Sequence, residues 1–236
     1  AVWEPRAGVL FADACITAHL AQGRHYGAEL RYEESMLRWE PEGDDIRVLT
    51  TQGEYRARQL IVTAGAWISA FFPDLPLRVE RQVLFWFDHA SASEMFIPER
   101  CPVHLWQFDG RRFFYGFPDL GKGVKVAFHH GGEITTVDSV RRQVEASEVE
   151  EIRTSLRRLV PTADGTSLAT TVCLYTNTPD EHFLIDRNPA HPQVLIGSAC
   201  SGHGFKFSPV IGEILADLAQ DKRPRFDLNL FRWRKV

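Results

Sequence analysis

Cysteine is scarce in this 236-residue chain, with four in all. Cys15, Cys101, Cys173 and Cys200 lie far apart and form no CxxC pair. That spacing excludes a disulfide framework and a zinc ribbon, and it reads as reduced thiols in a cytoplasmic protein. Long hydrophobic runs are also missing. One of the longest, Leu60 to Trp67, is interrupted by Thr63 and Gly65. It falls far short of the ~20 apolar residues that a membrane-spanning helix needs. No basic segment leads into an apolar one near the start, so no signal peptide is visible. The chain opens on Ala1 rather than Met, so it is expected to begin after processing or inside a longer protein. Positive charge is not in excess: 27 Lys+Arg face 31 Asp+Glu, a net charge of −4. General binding to nucleic acid or to a membrane surface is therefore not expected. His129-His130 and His182 lack any HxxxH or comparable spacing, and no metal site is expected. What remains is the balance of a soluble globular protein, 44% apolar and 25% charged.

The pattern along the chain is mixed. Ala14 to Leu20 is compatible with a helix, punctuated by Gly23 and Gly27, and a strand follows before residue 40. A meander runs from Ile46 to Thr51, through a turn at Gln52-Gly53, to Ala57. Gln59 to Thr63 has the composition of a buried strand and runs into Ala64-Gly65-Ala66-Trp67. An apolar strand ending in a glycine turn is the usual end of a parallel strand at a nucleotide site. The block from Leu77 to His129 reads mostly as strand. Its clearest pieces are Arg81–Phe87, Arg112–Phe117 and Val124–Phe128, with turns at Asp109-Gly110 and Gly121 to Gly123. A large, mostly antiparallel sheet is the expectation. Helix returns after Asp138. Ser147-Glu-Val-Glu150 fits a capping box, Val149, Ile152, Leu156 and Leu159 follow helical spacing, and Pro161 stops the run. Strands resume at Thr170–Tyr175, Phe183–Ile185 and Val194–Ile196. A last helix opens at Ser208-Pro209, read as N-cap and N1. Its apolar stripe is Val210, Ile211, Ile214, Leu215 and Leu218.

Two stretches could carry chemistry. In Ser201-Gly-His-Gly-Phe-Lys-Phe-Ser-Pro209, Gly202 and Gly204 permit close backbone approach, and His203 and Lys206 add donors and positive charge. The positive end of the following helix points back at this loop, so the segment has the makings of an anion receptor. It fits equally a plain helix-entry loop with a solvated lysine. In Gly121-Lys-Gly-Val-Lys-Val-Ala-Phe-His129, Lys125 is in phase with Gly123 and Ala127. An inward-facing Lys125 would be a partly buried amine with a lowered pKa. Taken alone, an edge-strand lysine facing water fits better. Cys173, in Thr171-Val-Cys-Leu-Tyr175, reads by itself as an inert buried thiol. The Gly-x-Gly-x-x-Gly dinucleotide fingerprint is absent, since Phe207 follows Gly202 and Gly204, and Val126 follows Gly121 and Gly123.

Longer segments resemble the flavin-dependent N-methyl amino acid oxidases, the sarcosine and N-methyltryptophan oxidases of the D-amino-acid-oxidase superfamily. The resemblance runs from Glu4-Pro-Arg-Ala-Gly-Val-Leu-Phe11 through Leu60 to Trp67, Arg81-Gln-Val83 and Phe114-Tyr-Gly-Phe-Pro118. It is strongest in Cys173-Leu-Tyr-Thr176, Pro179-Asp-Glu-His-Phe-Leu-Ile-Asp186 and Ser201-Gly-His-Gly-Phe-Lys206. Ala219-Gln-Asp-Lys222 and Phe226-Asp-Leu228 lean toward the N-methyltryptophan branch. The implied fold is α/β plus α+β: the C-terminal part of an FAD-dependent oxidoreductase, with a partial FAD-binding domain and a large, mostly antiparallel substrate-domain sheet. The implied division is residues 1–76 for the partial FAD-binding domain, 77–172 for the substrate domain, and 173–236 for a flavin-contacting return segment and C-terminal helix.

By this resemblance Cys173 matches the cysteine that holds FAD covalently, and Lys125 matches the lysine that activates dioxygen. His203 and Lys206 match residues at the flavin's pyrimidine edge, and Lys206 also a ligand of the substrate carboxylate. Tyr115, His129 and Tyr175 match residues around the amine. Gly65, Ala66 and Trp67, with Gly202 and Gly204, match segments that pass the cofactor. The implied reaction oxidises a secondary amino acid, with dioxygen as acceptor, to the demethylated amino acid, formaldehyde and hydrogen peroxide. The glycine fingerprint region of the family is missing from this chain. A missing N-terminal segment or another chain would then complete the site. The alternative is a truncated, catalytically silent fragment or binding module that does not hold FAD. Without that region, the apolar strand around Leu60 to Val62 is expected to present an open edge prone to pairing. Cys200 stands where the family usually carries an apolar residue.

Overall fold

The computed structural model describes residues 1–89, 93–108, 110 and 112–233. In chain order it contains helix α1 (Ala12–His25) and strands β1 (Met36–Glu42), β2 (Asp45–Thr50), β3 (Glu54–Ala57), β4 (Leu60–Val62) and β5 (Arg78–Phe87). Strands β6 (His104–Phe108), β7 (Arg112–Phe117), β8 (Val124–His129) and β9 (Glu133–Thr135) lead to helix α2 (Ala146–Leu159). Strands β10 (Ser167–Asn177), β11 (Leu184–Arg187) and β12 (Val194–Ser198) precede helix α3 (Ser208–Ala219). The chain divides into two compact units: residues 1–9 with 79–175, and residues 10–78 with the chain from 176 onward.

The unit built on residues 79–175 is the expected large antiparallel sheet. Its strand order is β10-β5-β8-β7-β6, with β9 also pairing β5. Side chains alternate between its faces. One face sends Phe85, Phe87, Phe114, Val124 and Val126 into a core completed by Ile152 and Leu156 of α2. Each such side chain contributes about 1.5–3 kcal/mol by leaving water. The helical stripe is as expected, with Val149 and Leu159 flanking that core. The turn at residues 121–123 forms with positive φ at Gly121 and Gly123. Gly110 is likewise at φ +74, whereas Asp109 lies outside the described residues.

The start of α2 differs from expectation. The capping box is Glu145 with Glu148, not Ser147 with Glu150. Tertiary contacts decide this. Arg81, 3% exposed, donates from Nη1 to Glu148 Oε1 at 2.6 Å, and Arg141 Nη1 donates to Oε2 at 2.8 Å. Arg81 also donates to the carbonyls of Arg141 and Gln143. Burial pushes the Glu148 carboxyl up, but the hydrogen bonds from Arg141 and Arg81 outweigh it and hold the group at about 2. Ser147, which no such contact anchors, lies inside the helix.

The other unit holds two three-stranded sheets, β1-β2-β3 and β11-β12-β4. The meander of the first is antiparallel throughout. In the second, β12 pairs β4 in parallel, Val194 opposite Leu60 and Ile196 opposite Val62. Strand β12 is buried on both faces. Val194 and Ile196 pack with Ile46, Val62, Ile68 and Phe72. Leu195 packs with Ile185 and with Ile214 and Leu215 of α3. A Cβ at Gly197 would lie 2.9 Å from Leu215 Cδ1, so the glycine lets helix and strand approach. The N-cap of α3 is Phe207 rather than Ser208, because a 3-10 turn over Phe205–Phe207 runs directly into the helix. Ser208 is its first residue and donates its hydroxyl to the Phe205 carbonyl at 2.6 Å. Strand β4 ends its sheet with Ile61 40% exposed, which is the open apolar edge read from sequence. Helix α1 has no buried residue and exposes Ile16 and Leu20. Among the described residues no helix is long and apolar enough to cross a membrane.

Candidate functional site

The first cluster lies on the sheet face turned away from α2. Strand β8 alternates, so Val124 and Val126 enter the core while Lys125, Ala127 and His129 take the opposite face. Register supplies the neighbours. Lys125 stands between Trp86 and Phe117, Ala127 between Leu84 and Tyr115, and His129 opposite Phe113. Lys125 is thus on a central strand, and the water-facing edge alternative is set aside. Its Nζ is 4.9 Å from the Phe117 ring and 5.5 Å from the Trp86 ring, within cation–π reach. It has no carboxylate partner among the described residues. Burial lowers its pKa, and the nearby Cys173 works the other way. Burial in turn raises the Cys173 thiol, opposed by the charge of Lys125.

Tyr115 and Tyr175 share a hydrogen bond, and His129 Nδ1 lies 3.2 Å from the Tyr175 hydroxyl. According to its tautomer, the imidazole donates Nδ1–H to the Tyr175 oxygen or accepts from its hydroxyl. Burial, reinforced by Cys173, pushes Tyr115 up to about 12, and burial pushes Tyr175 up as well. Both are neutral phenols that orient hydrogen bonds. Lys125, Tyr115, His129, Cys173 and Tyr175 therefore gather on one unit.

Sequence reading missed the frame of this cluster. Asp119 Oδ1 accepts the backbone N–H of Gly121, Lys122 and Gly123 at 2.7–3.0 Å, while Oδ2 lies 2.8 Å from His89 Nε2. This carboxylate ties the turn that feeds Lys125 into β8. A Cβ at Gly123 would lie 2.6 Å from the Phe87 carbonyl oxygen, at φ +90. His130 was also missed; only its place in His129-His-Gly-Gly132 hints at it.

The second cluster lies in the other unit, at the carboxyl ends of β4 and β12. These strands are parallel neighbours, so the turns leaving them emerge side by side, where open α/β sheets bind ligands. From β4 come Gly65 at φ +54, Ala66 buried, and Trp67 half exposed. From β12 comes the segment 199–206. Gly202 sits at φ +84. His203 Nδ1 lies 2.9 Å from the Ser201 carbonyl, so it must carry the proton, and the ring stacks on Phe183. Its other polar atom is Nε2, and a proton there would add His203 to the positive charge of Lys206 and the helix end. Lys206 is exposed, with Nζ 5.6 Å from the Phe207 ring. Ser201 Oγ is buried without a hydrogen-bond partner among the described residues.

Gly204 is the least replaceable residue of this turn. A Cβ there would fall 1.6 Å from the Ala199 carbonyl oxygen. Gly204→Ala must move backbone, and a loss of about 3 kcal/mol or more is expected. Chemical denaturation checks this; an unchanged midpoint would contradict the geometry.

Comparison with known proteins follows the same lines. The FAD dependent oxidoreductase family matches residues 1–218. A monomeric sarcosine oxidase from Streptomyces avermitilis is 40% identical over 242 aligned residues, covering 100% of this chain and 63% of the relative. An N-methyl-L-tryptophan oxidase from Salmonella arizonae is 33% identical over 98% of this chain and 62% of its own length. The chain thus spans about three fifths of these curated relatives. Among solved structures, NikD, described as an unusual amino acid oxidase, superimposes with a TM-score of 0.77 at 21% identity, over 95% of this chain and 60% of its own. Glycine oxidase from Geobacillus kaustophilus gives 0.73 at 19% identity, over 94% of this chain and 57% of its own. At these identities the likeness concerns the fold alone, which in this chain is mixed α/β with a large antiparallel sheet. By extent and identity of match, the chain belongs to the FAD dependent oxidoreductase family.

Proposed function

We propose that this chain carries the flavin-contacting and amine-binding part of an oxidase for secondary amino acids, with FAD linked covalently to Cys173. The observation that carries the reading is Lys125, a half-buried amine without a carboxylate partner among the described residues, flanked by two aromatic rings and beside a thiol. Such a preorganised charge suits a site where negative charge develops. The residues fit a flavin. The Ser201 hydroxyl, buried without a partner among the described residues, stands in the turn after β12, and Gly65 and Gly202 of the two neighbouring turns take positive φ. When bound, FAD accepts the hydride equivalent from the amine and passes the electrons to dioxygen.

The chain's own residues do the rest. Cys173 holds the cofactor, and Gly65, Ala66, Trp67, Gly202 and Gly204 let it pass close to backbone. His203 and Lys206 supply positive charge at its rim, and Lys206 pairs the substrate carboxylate. Tyr115, Tyr175 and His129 orient the amine through their hydrogen-bond chain. Lys125 stabilises negative charge on the reacting dioxygen. The substrate class is an N-methyl amino acid such as sarcosine or N-methyltryptophan, the names its relatives carry. Its oxidation with dioxygen and water yields the primary amino acid, formaldehyde and hydrogen peroxide. The protein is proposed to work in the cytoplasm.

A second reading has an observation of its own. The exposed apolar residues of α1 and the open β4 edge suit a partner segment, from the same protein or another chain. Without that partner the chain is a silent module. Formaldehyde and peroxide released in equal amounts from sarcosine or N-methyl-L-tryptophan by flavin-loaded protein support the oxidase. Loaded protein that releases neither supports the silent module.

A further inference from the structure

Asp119 and His89 have no part in the scheme above, yet they hold the strand ends on which Lys125 stands. Register shows where those ends meet. Lys125 is the second residue of β8 and pairs with Phe117, the last residue of β7. That rung is the end of the β7–β8 hairpin, next to the connecting segment. On its other side Lys125 pairs with Trp86, one residue short of the end of β5. The two rings that flank Nζ, Phe117 at 4.9 Å and Trp86 at 5.5 Å, therefore both stand at strand ends. Such ends fray unless something holds them.

One carboxylate joins all three ends. Asp119 follows Phe117 by two residues, and its Oδ1 accepts from the backbone N–H of Gly121, Lys122 and Gly123, the turn into β8. Its Oδ2 lies 2.8 Å from Nε2 of His89, which follows the end of β5 by two residues. Burial pushes the Asp119 carboxyl up, but His89 and the turn N–H groups outweigh it and hold the group below the usual carboxylate range. Both oxygens therefore accept, and His89 Nε2 carries the proton. His89 Nδ1 is buried without a hydrogen-bond partner among the described residues, so the bond to Asp119 is the one that orients the ring. That ring lies 5.4 Å from the Phe96 ring, and the Phe96 carbonyl accepts from the Asp119 N–H at 2.8 Å. The backbone leading to His89 is fixed as well. Asp88 N–H donates to the Thr166 carbonyl at 2.8 Å, and a Cβ at Gly165 would fall 2.0 Å from the Asp88 carbonyl oxygen.

We propose that Asp119, held by His89, is a positioning residue for Lys125. It clamps the Lys125–Phe117 rung to the end of β5 and so fixes the amine between its two rings. A cation placed in advance need not reorganise when negative charge develops beside it. Without the clamp, the start of β8 frays and the amine spreads over positions that serve the reaction less well. The effect on the dioxygen step rests on the oxidase reading; the clamp itself does not.

The test has a flavin-free readout and a kinetic one. The sequence holds five lysines, so proton–carbon spectra of the 13C-lysine-labelled chain are simple, and Lys125→Met assigns the Lys125 signal. The rings beside Lys125 should shield its ε-methylene protons. Asp119→Ala should lose most of that shielding and move the signal toward that of exposed Lys222. Asp119→Asn, which keeps an acceptor for the three N–H groups, should retain most of it. His89→Phe keeps a ring against Phe96 and removes the donor to Oδ2. It should lose part of the shielding, and it covers the case in which Asp119→Ala does not fold. A Lys125 signal unmoved in Asp119→Ala and His89→Phe, or an asparagine variant no better than the alanine one, overturns the proposal. In flavin-loaded protein, Asp119→Ala should slow reoxidation by dioxygen about 10–10²-fold with reduction by the amine nearly unchanged. Equal losses in both half-reactions mark a general loss of structure and overturn it too. A Lys125 signal that moves in loaded protein that consumes no dioxygen counts against the oxidase reading and leaves the clamp standing.

Discussion

Lys125→Met should slow reoxidation by dioxygen about 10²–10³-fold, the usual cost of removing one preorganised charge-stabilising group. Flavin reduction by the amine should be nearly unchanged. The two half-reactions separate because of what surrounds the amine. Its charge is already desolvated between the Trp86 and Phe117 rings and is not neutralised by a carboxylate among the described residues. Nothing must reorganise when negative charge develops on dioxygen nearby. The hydride-transfer step creates no new anion at that place and gains little. Methionine keeps the length and apolar stem of the side chain, so the cross-strand packing is retained. Stopped-flow traces of reduction without oxygen, and of reoxidation after mixing with it, read the two rates directly. Equal losses in both would remove the assigned role.

Cys173→Ala should abolish covalent attachment of flavin while costing at most about 1 kcal/mol of stability. The thiol lies on β10 on the face that carries Tyr175, next to the charge of Lys125. That charge favours the thiolate, the nucleophilic form, against the burial that opposes it. Alanine removes the nucleophile and leaves a strand whose neighbours are unchanged. Intact mass after supplying flavin, alongside circular dichroism, separates the two effects. A variant that still carries the flavin mass places the linkage elsewhere; Cys200, raised by burial in its own turn, is the next thiol to examine.

Local pattern carried much of this architecture. The apolar period of Val149, Ile152, Leu156 and Leu159 located the buried face of α2 because Ile152 and Leu156 are the residues that reach the core. The glycines at 121 and 123 located a turn because both adopt positive φ there. Lys125 was ambiguous for a physical reason. Alternation tells which residues share a face, but whether that face meets water depends on strand order, and β8 sits between β5 and β7. The start of α2 was misread because Glu148 is fixed by Arg81, 67 residues away in sequence. Glu80 escaped notice for the same reason, since its partners include Gly132, 52 residues on, and His130, just past β8. Asp119 holds the backbone N–H groups of its own turn, but its side-chain partner His89 lies 30 residues back. The clusters at Lys125 and at His203 were found through longer family-specific strings such as Ser201 to Lys206, not through spacing alone.

One measurement bears most directly on the assignment of a flavin to this chain: intact mass with a visible absorption spectrum on acid-denatured protein. A polypeptide heavier by one FAD, with flavin absorbance that survives precipitation, is the predicted result. A bare polypeptide mass and a colourless pellet from protein supplied with FAD would contradict it.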